Sequence, residues 1–94
     1  MIGDKIISRI HTVERMFERE IGLEDVRYVL QDGEAIENYV GDKPYPSAVM
    51  LAWCAERPLH VVMAYNKAED ETILITAYEP DAEEWDAEFR TRRS

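Results

Sequence analysis

Residues 44–65, PYPSAVMLAWCAERPLHVVMAY, decide how the rest of the chain must be arranged. Two apolar runs, Ala48 to Ala55 and Leu59 to Tyr65, are bounded by Pro44, Pro46 and Pro58. Valine, leucine, methionine and aromatic side chains fill both runs, a composition that suits a half-buried pleated surface. The connection Cys54-Ala55-Glu56-Arg57-Pro58 is short enough for a hairpin, so two antiparallel strands are expected at the centre of the fold. In the second strand Leu59, Val61, Met63 and Tyr65 alternate with His60, Val62 and Ala64. The bulky set should meet the helices, which leaves His60 on the other face among small residues. An open concave surface there could admit a ligand. The competing reading is a structural histidine bonded to a neighbouring strand.

Upstream of this hairpin, Ile6, Ile10, Val13 and Phe17 recur at steps of four and three and form one stripe on a helix. Asp4 can cap that helix, which is expected to run from about residue 4 to residue 20, with Gly22 closing it in a left-handed conformation. A second helix from Leu23 to about Gln31 carries Glu24 and Asp25 in its first turn and buries Val26, Val29 and Leu30. Asp32-Gly33 stops it. Ala35 to Val40 alternates as a short edge strand, and Gly41-Asp42-Lys43-Pro44 turns the chain into the hairpin.

Downstream, Asn66 to Glu71 is a polar hairpin loop and Thr72 to Tyr78 a strand rich in β-branched residues. Glu79 to Glu88 holds six acids, with Trp85 and Phe89 four apart, a pattern that predicts a short C-terminal helix. The expected fold is a single α+β domain over residues 1–94, with two N-terminal helices packed on a four-stranded, mainly antiparallel sheet and a short C-terminal helix.

Composition narrows function. Twenty acids against eleven lysines and arginines give a formal charge of −9, a field that repels phosphate backbones and counts against non-specific nucleic-acid binding. Cys54 is the only cysteine, so no internal disulfide can form and no thiolate zinc site is expected. No apolar run approaches the roughly 20 residues of a membrane helix, so a cytoplasmic protein away from membranes is expected. No glycine-rich phosphate loop, metal-ligand spacing or serine nucleophile elbow occurs, and no cofactor is expected.

Chemistry is therefore sought among a few side chains. His11 and Arg15 are one turn apart on the flank of the first helix, where an imidazole and a guanidinium can together hold a phosphate. The plainer reading pairs Arg15 with neighbouring glutamates. Thr76 and Tyr78 share a strand face with Leu74 by simple alternation, and the Tyr78 phenol could reach whatever His60 reaches. Arg90, Arg92 and Arg93 are the densest positive charge in the chain, either for a substrate or as a solvated end.

Read in order, these stretches resemble the small bacterial proteins grouped as domain of unknown function 4258. The resemblance rests on His11-Thr12-Val13-Glu14-Arg15-Met16, Asp32-Gly33-Glu34, Ile36-Glu37-Asn38-Tyr39, Pro44-Tyr45-Pro46-Ser47, Arg57-Pro58-Leu59-His60-Val61-Val62, Ile75-Thr76-Ala77-Tyr78-Glu79-Pro80, Trp85, Phe89-Arg90 and Arg92-Arg93. It implies distant kinship with RelE-type and BrnT-type ribonuclease toxins and a RelE/barnase-like two-layer architecture. It also implies a protein antitoxin partner of the zinc-ribbon, helix-turn-helix MqsA type.

The function so implied is a toxin component acting as a metal-independent endoribonuclease, as a monomer or homodimer. His11, Arg15, His60 and Tyr78 would be catalytic, with Thr76, Arg90, Arg92 and Arg93 binding an RNA substrate. The alternative is a non-catalytic binding module of the same fold that docks a basic protein partner. Two departures from the family are expected: a missing or shortened N-terminal strand, and bulk from Ala52-Trp53-Cys54-Ala55 where relatives have glycine.

Overall fold

The computed structural model describes residues 5–93. Elements follow in the order β1 (Lys5–Ser8), α1 (Ile10–Glu18), α2 (Leu23–Asp32), β2 (Glu34–Tyr39), β3 (Ser47–Cys54), β4 (Arg57–Asn66) and β5 (Glu71–Tyr78). The strands form one five-stranded sheet in the spatial order β1-β5-β4-β3-β2. β1 runs parallel to β5, and the other neighbours are antiparallel.

The α+β class is as expected, but the four-stranded sheet and the C-terminal helix are not. A fifth strand, β1, precedes the first helix, so that helix begins at Ile10, and of the expected missing or shortened N-terminal strand the first alternative is ruled out. The proposed Asp4 cap lies outside the described residues. Residues 79–93 form successive turns and one isolated bridge between Trp85 and Arg92. The spacing of Trp85 and Phe89 imitates a helix, but Phe89 has φ 60°, and the Asp86 carboxylate accepts from the backbone N–H groups of Glu88 and Arg90. Side-chain bonds of this kind close a turn in place of a helical ladder.

The hairpin turn is Ala55 and Glu56, with Arg57 and Pro58 already in β4. Ala55 sits at φ 59°, where glycine would carry no strain. α1 is closed by Glu20, at φ 56°, whereas Gly22 has φ −84° and begins α2. Gly33 is required for space: an added Cβ would meet Val29 O and lie 2.7 Å from Leu51 O, so α2 could not end so close to β3.

One face of the sheet meets the helices. Met50, Leu59, Val61, Met63, Leu74 and Ala77 pack there with Met16, Ile21, Val26, Val29 and Leu30. In β5 the register passes from Val62↔Thr76 to Met63↔Leu74, so Ile75 is an extra residue. This bulge reverses the alternation, placing Thr76 and Tyr78 opposite Leu74 instead of beside it. Around His60 the second face is covered by the C-terminal turns: Trp85 is buried, its ring meets His60, and Phe89 meets Trp53 edge to face.

α1 does not bury the stripe its periodicity suggests. Ile10, Val13 and Phe17 are 72%, 48% and 86% exposed, and Met16 is the buried residue. The cause is the short β1, whose pairing with β5 stops at Leu74. Beyond it the open edge of β5 is taken by α1: Thr12 Oγ1 donates to Ile75 O at 3.1 Å and Arg19 Nη1 to Ala77 O at 2.8 Å. The polar side of the helix is thereby turned toward the sheet.

Candidate functional site

The sheet brings together two of the residues singled out in sequence. His60 and Tyr78 are register partners on β4 and β5, with Nδ1 3.3 Å from the phenol oxygen and the rings edge to face at 5.3 Å. His60 does not face an open surface, and Tyr78 beside it is half-buried. His60 is 0% exposed, Nε2 lies 2.8 Å from Phe89 O, and Trp85 stands 4.4 Å away ring to ring. The open concave face expected around His60 is therefore filled by Trp85 and Phe89. An imidazole with one nitrogen on a carbonyl must donate from it, which fixes the Nε2–H tautomer and leaves Nδ1 to accept from Tyr78. Burial pushes the His60 pKa down from 6.5, partly offset by the Phe89 carbonyl, and burial raises that of Tyr78.

The tail arginines lie against this clasp. Arg90 pairs with Glu34 at 2.8 Å and Arg92 with Glu37 at 3.2 Å, both acids on the edge strand β2. Arg92 also stacks 4.6 Å above Trp85, and Arg93 donates to Ala82 O at 3.0 Å. Thr76 Oγ1 is 3.4 Å from Arg19 Nη1.

His11 lies elsewhere. At the start of α1 its side chain is 86% exposed, with Glu14 3.6 Å from Nδ1. It lines a cavity of about 530 Å³ between that end of the helix and the loop joining β2 to β3. Arg9, Lys43, Tyr45 and Ser47 share the lining, over Ala64 and Ile73, which pair across β4 and β5. The loop is braced from three sides. Ser47 Oγ donates to the Asp42 carboxylate, Asn66 Nδ2 donates to Tyr45 OH at 3.1 Å, and Tyr65 N donates to Pro46 O at 3.0 Å. Asp42 also lines the cavity, so two permanent cations face one carboxylate already engaged by a hydroxyl.

His60 and Arg15 do not line this cavity. Ala64 is four residues from His60, about 13 Å along a strand. His11 and His60 therefore serve separate places. Arg9, Lys43 and Tyr45 were missed in sequence because they are dispersed over two loops and no periodicity connects them. Arg57 was missed too: it donates to Arg19 O at 2.6 Å and Glu20 O at 2.8 Å at the end of α1, and pairs with Glu79 at 2.7 Å.

Cys54 is half-buried against the core, and burial raises its thiol pKa, as for a packing residue. Among the described residues no group of three or more His, Cys, Asp or Glu side chains is placed to hold a metal ion. No helix among them is long and apolar enough to cross a membrane.

A small two-layer domain, clasped on its second face and open beside His11, is the class of protein that these observations define. The chain belongs to the family described as a domain of unknown function, DUF4258, whose model matches residues 9–79. The match includes the cavity at α1 and ends before Trp85 and Phe89, which enclose His60. No curated protein and no solved structure matches the chain.

Proposed function

We propose that the chain is a toxin-type component acting on RNA, with its phosphodiester site in the cavity at the start of α1. The observation that carries this reading is the placement of one exposed imidazole, His11, with Arg9 and Lys43 around a space of about 530 Å³. Neutral His11 takes the proton of a ribose 2′-hydroxyl, and the 2′-oxygen attacks phosphorus. Arg9 and Lys43 balance the charge that gathers on the phosphorane oxygens. The 5′-oxygen leaves, protonated from water in the open cavity, and a 2′,3′-cyclic phosphate remains. His60, Tyr78 and the tail arginines have no step in this scheme, since each is engaged in the clasp.

Incubating the chain with RNA, free and on translating ribosomes, tests the reading. Cleavage ending in cyclic phosphates, lost in His11→Ala and in Lys43→Ala, is the expected result. RNA left intact in both settings, together with normal growth of cells expressing the chain, would sink it.

The net charge of −9 supports a second reading, a binding module that docks a basic protein. In the toxin reading that partner is the antitoxin, of the zinc-ribbon, helix-turn-helix type that the sequence resemblance implies.

A further inference from the structure

α1 presents apolar side chains where its own fold does not use them. The side turned to the sheet is Thr12, Met16 and Arg19, through three hydrogen bonds and one buried methionine. Ile10, Val13 and Phe17 lie together on another side, within an arc of about 60° at 100° per residue. Their exposures of 72%, 48% and 86% mean that little of this stripe is covered by the described residues. Packing among the described residues thus gives no reason for three large apolar residues at these positions. A stripe of this spacing is the form in which one helix receives another.

What lies beside the stripe selects the occupant. Glu14 and Glu18, one turn apart, are exposed along its flank, and the whole chain carries −9. A second copy would bring acidic flanks and equal net charge against one another, and an anionic lipid surface would repel the same carboxylates.

We propose that this face of α1 docks an amphipathic helix of a basic protein partner. That helix would present apolar side chains at every third and fourth position and lysines or arginines beside them. The proposal rests on the partner-docking reading for the sign of the charge, and not on the RNA chemistry of the cavity.

The probe is a synthetic helix of about 18 residues with leucine at the apolar heptad positions and lysine elsewhere, beside a leucine/glutamate version. Calorimetric titration into the full chain should show binding of the leucine/lysine helix that weakens with salt, and none of the leucine/glutamate helix. Phe17→Asp and Val13→Asp should each weaken it at least about tenfold, with the milder Phe17→Ser giving a smaller loss in the same direction. Tyr28→Asp, at an exposed aromatic on α2, should leave it unchanged. Circular dichroism establishes that each variant is folded.

Equal affinity for Phe17→Asp and the parent would overturn the assignment of the surface while leaving the basic-partner reading intact. No binding of the lysine helix would overturn both. Self-association abolished by Phe17→Asp, or adsorption to anionic vesicles, would give the stripe to a second copy or to a membrane and overturn the proposal.

Discussion

The two histidines of this chain stand in opposite surroundings. His60 is enclosed, with one nitrogen on a carbonyl, the other facing a phenol and an indole ring against it. His11 stands at the rim of a cavity, with a carboxylate 3.6 Å away and two cations sharing the lining. The first is held so that it cannot meet a substrate; the second can. Position in a strand between aliphatics, the feature that draws attention to His60 in the sequence, is therefore a mark of packing. The His11 site emerges only when a loop more than 30 residues away folds beside it.

Four measurements test this contrast. The largest effect is expected from Trp85→Ala, which removes the ring covering His60 and the platform under Arg92. A loss of about 3–5 kcal/mol in urea unfolding is expected. A loss below about 1 kcal/mol would mean that the clasp is not closed in solution and that His60 is accessible.

His60→Ala should follow, at about 2–4 kcal/mol, because the Phe89 carbonyl and the Tyr78 hydroxyl both lose their partner in a buried place. A variant as stable as the parent would contradict a structural role.

The third measurement is stability against pH. The folded His60 pKa lies below 6.5, so the unfolded chain binds the proton first. The contribution of His60 is fully present above pH 6.5 and is lost as pH falls from there through the folded value. Carboxylates titrate lower, and the comparison with His60→Gln isolates the imidazole: the parent should lose stability more steeply than that variant just below pH 6.5. Parallel curves would show that His60 does not titrate with unfolding.

The smallest effect on stability is expected at the other histidine. His11→Ala should unfold within about 0.5 kcal/mol of the parent while losing whatever RNA cleavage the chain has. A large destabilisation here would erase the distinction between the two sites.

Much of the architecture was legible because alternation and helical spacing are local. β3, β4 and α2 follow directly from Ala48 to Tyr65 and from Val26, Val29 and Leu30. β1 was not legible, since Ile6 fits a helical stripe with Ile10 as well as it fits a four-residue strand. Only pairing with β5, some 65 residues later, decides between them. The parity of Thr76 and Tyr78 is not legible, because a bulge at Ile75 leaves no trace in composition. Within the candidate site His11 was legible as an imidazole on a helix flank. Arg9, Lys43 and Tyr45 depend on tertiary placement and were not.

The anchoring of α1 governs how it would meet a partner. Thr12 fixes its first turn to β5, Arg19 fixes its last, and Arg57 grips the carbonyls of Arg19 and Glu20 where the helix ends. Anchored at both ends, the helix has little freedom to roll, so Phe17 is presented outward before anything arrives. Association with such a platform forfeits little conformational entropy on this side of the interface, and the ordering cost falls on the incoming segment.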